Sequence, residues 1–463
     1  RVALQAQPAE PRGKFIIKIF KDRQIFYIGN KGNDMNVLVI GNGGREHAIV
    51  AALAKSPKVG KLYCMKGNAG IAELAECVNV DYMDNAAVGD WLDAHKDVEY
   101  TVIAPDDPLA AGLADELERR GHRVFGPDKR AAQIEASKSF AKSLMKKYGI
   151  PTAAYEVFDD YEKALAHVRG GRFPVVLKAD GLALGKGVLI CEDLAAAEAG
   201  LKQIMLDKAF GAAGNKVVVE EFLTGKEFTP GEEVSVLTFT DGKTIVPMIP
   251  SCDHKRALDG DKGLNTGGMG TFTPCPFYDK EVADEVIGKI LLPTVAAMNA
   301  EGCPFKGVLY CGLMRTPEGM KVVEYNSRFG DPETQVVLPM LKTDLLEIFE
   351  AVTDGRLADV KIEWEEGACV CVVLASGGYP QKYAKGKEIT FDCPPGKDVF
   401  VYHAGTVREN GVLKTNGGRV LNICAKGKTV AEARAKAYDY IKCVHFEGMQ
   451  YRTDIGIKYN AKG

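Results

Sequence analysis

From Met35 the chain passes through short apolar runs, NVLVIG at 36–41, KLYCM at 61–65, CVNV at 77–80 and YTVIAP at 100–105. Between them, from Glu46 and again over 84–95, the apolar residues recur at helical spacing. Strand-length runs alternating with helices predict a parallel sheet of βαβ units, closed by GHRVFGP at 121–127 and ending near residue 136. A Lys-rich helix, SKSFAKSLMKKYG, then opens a smaller α+β unit in which YEVF, PVVLKADG, GVLIC and VVVEEFL are the strands. The segments 234–249 and 307–326 each turn at a polar, Gly-containing stretch, which predicts antiparallel hairpins. Beyond about residue 362, ACVCVVLAS, VYHAG, RVLNICAKG and a helix over 429–444 predict a compact α+β unit.

A chain of 463 residues exceeds what one hydrophobic core supports. The expected division is an extension over 1–34, an α/β unit over 35–136, a central unit over 137–361 and an α+β unit over 362–463. Residues 1–34 hold seven Lys/Arg against three acids without a sustained apolar core, unlike a secretory signal; an acid-poor organelle presequence and an appended segment are the alternatives, and their role is open. Lys plus Arg is 59 and Asp plus Glu is 62, so no basic field draws the chain to nucleic acid or an anionic membrane. No run approaches the roughly 18 apolar residues of a membrane helix. The twelve cysteines are scattered without a C-x-x-C pair, which reads as reduced thiols in a cytoplasmic protein.

Two glycine-rich loops suggest anion chemistry. GNGGREH at 41–47 follows a strand and opens a helix, where backbone N–H groups gather a phosphate. It is not a dinucleotide fingerprint, because Glu46 stands where the third glycine should be and Lys66, not an acid, ends the second strand. A P-loop is absent too, since Leu237 and Asn422 occupy the leading position of the two GKT tripeptides. Lys178 ends the strand PVVLK and runs into ADGLALGKG, where Gly181, Gly185 and Gly187 surround Lys186; such a loop covers phosphates, or is an ordinary hairpin turn. VVVEEFL places Glu220 and Glu221 at the end of an apolar strand, and these acids with the backbone of Phe222 and Leu223 suit an adenine edge, unless the strand simply emerges into water. A later acid, Glu227 or Glu233, suits the ribose hydroxyls.

KVVEYNSRF at 321–329 carries the strongest signal. A strand period of two puts Glu324, Asn326 and Arg328 on one face, provided the strand persists that far. Mg²⁺ takes oxygen ligands and usually only one or two from protein, which Glu324 and Asn326 supply. Arg328 suits transferring phosphoryl oxygens, with Asp331 and Glu333 expected to fix the turn and orient it. A structural ion-pair cluster is the alternative.

In order, GNGGREH, PDDPL, FGP, SKSF, VVLKADGLALGKGV, VVEEFL, DHKR, NTGGMG, EYNSRFGDPETQ, HAGT and TNGGRV resemble the glycinamide ribonucleotide synthetase (phosphoribosylamine–glycine ligase) family of the ATP-grasp superfamily, from Met35 to about Gly456. The resemblance implies a Rossmann-like N-terminal domain, an ATP-grasp core with a mobile lid at about 154–225, and a small C-terminal domain. It implies ATP-dependent joining of glycine to 5-phosphoribosylamine through glycyl phosphate in purine biosynthesis; a cytoplasmic monomer or weak homodimer is expected. By position, Lys138 and Lys178 would hold phosphates, Glu220 adenine, and Glu324 and Asn326 Mg²⁺ or Mn²⁺. Asn42, Gly43, Gly44, Arg45 and Asn68 would cradle phosphoribosylamine. Asp253, Lys255 and Arg256, with Asn265, Thr266, Gly267, Gly268 and Met269, would order glycine and the sugar phosphate, while Asn416 and Arg419 line the same cleft. Arg328, Asp253 and Lys255 are the expected catalytic residues.

Three departures stand out: Asp106 in PDDPL where Glu is expected, a hinge loop about six residues long in excess, and the extension over 1–34. Other readings are an ATP-grasp ligase of different substrates, a nucleotide-sensing scaffold, and an NAD-linked dehydrogenase, the last weakened by Glu46.

Overall fold

In the computed structural model, residues 34–183, 187–225 and 232–457 are described, together with the backbone of 19–21 and 24–26. Gly185, Lys186, Glu227 and most of the segment 1–34 lie outside the described residues. The predicted βαβ units form a five-stranded parallel sheet in the order Glu76–Val78, Val59–Lys66, Met35–Gly41, Val98–Ile103, Val124–Phe125. The order reverses between the central strands Met35–Gly41 and Val98–Ile103. Crevices for ligands open at the carboxyl ends of strands at such a switch point, so the glycine loop and Asp106 lie side by side by topology alone.

The strands Val188–Cys191, Val175–Ala179, Val217–Glu221 and Tyr155–Phe158 form a small antiparallel sheet with its own core around Leu177, Val219, Ala164 and Leu201. The two predicted hairpins join into one antiparallel sheet, Ile245–Pro247, Glu232–Asp241, Lys306–Thr316, Gly319–Asn326. Lys306–Thr316 reads as an unbroken apolar run because it is central and buried on both faces.

One sheet runs across the border placed at 361/362: Gly270–Thr273 pairs with Ala368–Ser376, which continues through Arg419–Gly427 to Val399–His403. The NTGGMG loop is therefore fixed by a strand from the far end of the chain. One expectation changes, because the cysteines are not all thiols. Cys393 and Cys443 are bonded, with Cα atoms 5.8 Å apart, because Thr390–Phe391 pairs with Val444–His445 and brings together residues 50 positions apart. The other ten are free, and only Cys77 is exposed. No helix among the described residues is long and apolar enough to cross a membrane.

Candidate active site

The strand Gly319–Asn326 buries Val322 and Tyr325 and leaves Glu324 and Asn326 facing a cleft. It ends at Asn326, so the strand does not carry Arg328 to that face as expected. Arg328 reaches it through an ion pair: Nη2 lies 2.7 Å from Glu135 Oε1 and also donates to Asn326 Oδ1 at 3.2 Å. Glu135 is buried and accepts the Ser327 N–H and hydroxyl at 2.7 and 2.9 Å. Burial pushes its carboxyl above the usual range, against the pull of Arg328. Asp331 and Glu333 do not orient Arg328. Asp331 pairs with Arg419 at 3.3 Å, and Glu333 accepts from Ser235 and Tyr310, both at 3.1 Å. The buried Arg328 Nε finds no hydrogen-bond partner among the described residues, a vacant donor beside the cleft.

Opposite Glu324 the pairing slips between Gly312 and Leu313, leaving Val323 as an extra residue. Bulges of this kind redirect groups beside functional sites; here the Val323 carbonyl accepts Lys178 Nζ at 3.0 Å. Lys178 also lies 2.9 Å from Glu220 Oε2, and the same oxygen receives Lys142 at 3.0 Å. The Glu220 side chain is thus held between two lysines, and its other oxygen, Oε1, is buried without a hydrogen-bond partner among the described residues. Glu221 is less available: its N–H donates to the Ala154 carbonyl and its Oε1 accepts the Ala154 N–H, both at 2.9 Å. Lys138 donates to the Gly181 carbonyl at 2.8 Å, and Asp180 accepts the Ser139 N–H at 2.9 Å, joining the helix Lys138–Tyr148 to the end of the strand Val175–Ala179.

Lys142 was missed by sequence reasoning, although it stands one turn after Lys138 on the same helical face. Burial lowers it to about 8, with Glu220 opposing the shift. Between about 8 and its ordinary 10.5 the unfolded chain keeps a proton that the folded protein has shed, so folding gains stability as pH rises through that window. The thermal midpoint of the wild type should therefore rise relative to Lys142→Met between pH 7.5 and 9.5. A constant gap in differential scanning fluorimetry would exclude the shift.

Lys255 donates to Glu324 Oε1 at 3.0 Å. Burial opposes the charge on Lys255, yet Glu324, Tyr310 and Glu233 hold its pKa well above the ordinary value. Lys255 in turn holds Glu324 at about 2, against burial. Asp253, Lys255, Glu233, Ser235 and Tyr310 line a recess beneath this pair; burial and the adjacent Glu333 raise Asp253 well above the carboxylate range.

At the parallel sheet, Glu46 Oε2 accepts the Gly43 N–H at 2.6 Å and Oε1 accepts Arg45 Nε at 2.7 Å. Arg45 is thereby aimed at the Phe329 carbonyl, 3.1 Å away, which ties the first glycine loop to the turn after the strand Gly319–Asn326. Burial and then the Arg328 and Arg45 charges act on Asp106, and the cations leave it below its ordinary pKa. Asn42 is exposed, and a Cβ on Gly44 would collide with Asn422. Asn68 is committed to backbone: Nδ2 donates to the carbonyls of Asn42 and His403 at 2.9 and 2.8 Å, and Oδ1 accepts the Gly70 and Ile71 N–H groups at 3.0 Å. It shapes the cradle and does not face it as a free donor. Arg419 donates to the carbonyls of Gly267 and Asp331, both at 2.8 Å, and so braces the NTGGMG loop. Thr266 closes that loop on the Lys255 carbonyl at 2.8 Å, Arg256 donates to Gly263, Met269 is buried and Asn416 is exposed. Among the described residues no group of three or more His, Cys, Asp or Glu side chains could hold a metal, so any Mg²⁺ here has few protein ligands, its usual habit.

Comparison with known proteins bears on this geometry. Family models described as Phosphoribosylglycinamide synthetase N domain, ATP-grasp (A) domain and C domain match residues 35–135, 136–334 and 369–458. A phosphoribosylamine–glycine ligase of Caldanaerobacter subterraneus subsp. tengcongensis is 48% identical over 425 residues, covering 92% of this chain and 100% of the relative. That of Halalkalibacterium halodurans is 46% identical over 424 residues, covering 92% and 97%. The crystal structure of the phosphoribosylamine–glycine ligase from Thermotoga maritima superposes with a TM-score of 0.76 at 35% identity, covering 91% and 100% of the two chains. The biotin carboxylase domain of Hydrogenobacter thermophilus 2-oxoglutarate carboxylase, solved with MgADP, shares the fold at a TM-score of 0.70 and 14% identity, covering 90% and 91%.

Proposed function

The chain belongs to the phosphoribosylglycinamide synthetase family and is an ATP-dependent, ADP-forming ligase that joins glycine to 5-phosphoribosylamine; we propose that it does so through glycyl phosphate in the cleft around Glu324. Support comes from the convergence of Lys138, Lys178, Lys255 and Arg328 on Glu324 and Asn326, beside two glycine loops, the first tied down by Arg45 and the NTGGMG loop braced by Arg419. Cations in that number suit a nucleotide triphosphate and a second phosphate.

The residues fit ATP and a divalent ion. Glu220 Oε1 and Arg328 Nε are buried polar atoms lacking partners among the described residues, an arrangement that costs free energy unless a ligand completes it. Glu220 Oε1 suits the adenine amino group, and Lys138 and Lys178 suit phosphate oxygens. Glu324 and Asn326 would hold Mg²⁺ or Mn²⁺, which when bound offsets charge on the transferring phosphoryl group. The glycine carboxylate takes the γ-phosphoryl, ADP leaves, and the amine of phosphoribosylamine displaces phosphate from the acyl carbon. Arg328, fixed by Glu135, neutralises the equatorial oxygens. Lys255 and Asp253 orient glycine. The amine needs no strong base, and alignment of the two substrates supplies most of the rate.

Glycine and freshly made phosphoribosylamine together should be required for ADP formation, each alone giving background. Turnover with bicarbonate in place of glycine would sink this assignment in favour of a ligase with the same core chemistry.

A further inference from the structure

The segment YRTDIG at 451–456 carries a side chain that no step of the reaction uses. Arg452 is 1% exposed, an unusual burial for arginine, tolerated only where its donors are met. Its Nε and Nη2 fork onto the two carboxylate oxygens of Asp454, both at 2.7 Å. Nη1 crosses to the hairpin Arg256–Leu258/Lys262–Asn265, donating to the Arg256 carbonyl at 3.1 Å and to Asp261 Oδ1 at 2.9 Å. The hairpin turn reciprocates: the Gly260 N–H donates to Asp454 Oδ2 at 2.9 Å, and Asp259 accepts the Thr453 N–H at 2.8 Å.

Behind this contact the segment is anchored to the helix Val430–Ile441. The Tyr438 hydroxyl donates to the Arg452 carbonyl at 2.7 Å, Arg434 donates to the carbonyls of Thr453 and Ile455 at 2.6 and 3.0 Å, and Ile455 is fully buried. Among the described residues the hairpin has no comparable support of its own. Its short ladder shifts register between Arg256 and Leu258, and Leu258 and Leu264 are 56% and 51% exposed. A two-stranded ribbon of this kind is marginal in water without packing.

We propose that Arg452 is a positioning residue: it clamps the hairpin so that Arg256 and the adjoining Thr266–Gly268 loop are presented to the phosphorylated sugar and glycine. The clamp rests on the reading of that hairpin as substrate-binding. It acts on substrate affinity, not on the phosphoryl transfer at Glu324, because its contacts end on the turn and on the backbone of Arg256.

Arg452→Met, Arg452→Lys and the milder Asp261→Asn, each in the full chain, test this by hydrogen exchange and by steady-state kinetics. Expected for Arg452→Met are roughly tenfold faster amide exchange across 257–264 and about a tenfold higher KM for phosphoribosylamine. The KM for ATP should stay within about twofold, with smaller changes of the same kind for Arg452→Lys and Asp261→Asn, which preserve charge and the Asp454 fork respectively. Unchanged exchange in all three variants overturns the clamp, as does faster exchange with an unmoved KM for phosphoribosylamine and glycine. A joint rise in all three KM values, ATP included, also overturns it. A wild type that makes no ADP from glycine and phosphoribosylamine overturns the reading of the site itself, whereas a missing KM effect in an active enzyme overturns only the clamp.

Discussion

Glu324→Gln should lower glycine-dependent ADP formation by about a thousandfold or more while leaving the far-UV circular dichroism unchanged. The substitution keeps size and strand geometry but removes the one carboxylate on the cleft face of Gly319–Asn326. In the folded protein that carboxyl is held at about 2 by Lys255, so it is ionised across the working range. A depressed carboxyl pKa contributes stability above its unfolded value, near 4.5, that is lost only as pH falls toward 2. The acid limb of kcat/KM above about pH 4 must therefore arise elsewhere. Glu324 is partly exposed, so its removal should change the thermal midpoint little. ADP release by a coupled assay, with matched spectra, is decisive; activity within tenfold of wild type would exclude a role for this carboxylate in phosphoryl transfer.

Arg328→Met should lose both rate and stability. If Arg328 meets the transferring phosphoryl group as proposed, its removal costs about 10²–10³ in kcat. Independently, Glu135 is left buried and unpaired, which costs on the order of 3–5 kcal/mol. The two losses separate in the double variant Arg328→Met/Glu135→Gln, where the neutral amide restores much of the stability and none of the rate. They separate by pH as well. Without Arg328 the raised pKa of Glu135 rises further, and a carboxyl with a raised folded pKa regains stability as pH falls and it takes up a proton. The melting gap between wild type and Arg328→Met should thus be smaller at pH 5 than at pH 8. An equal gap at both values, or restored turnover in the double variant, would show that the Glu135 pair does not act as described.

The strand Gly319–Asn326 was legible because its signal is local. From Glu324 to Phe329 the burial alternates, with Tyr325, Ser327 and Phe329 inward and Glu324, Asn326 and Arg328 toward the cleft, even though regular pairing stops at Asn326. The parallel sheet was legible for the same reason, since buried strands declare themselves by short apolar runs and the glycine loop by its place after one of them. Glu135 was not legible. It is a lone acid before SKSF, 193 positions from the arginine it neutralises, and no periodicity links the two. The same holds for Arg419 with Asp331, and for the bonded cysteines.

Sequence by itself determined the elements, the order of the glycine loops, and which residue types are candidates for metal and phosphoryl chemistry, because these depend on residue type and near-neighbour spacing. Tertiary structure alone decided the partners. Strand pairing set Gly270–Thr273 beside Ala368–Ser376, and burial then selected which charges meet: Arg328 with Glu135, Lys142 and Lys178 with Glu220, Arg452 with Asp454 and Asp261. A charge withdrawn from water must find its counterpart wherever the fold brings one, and chain distance carries no information about where that is.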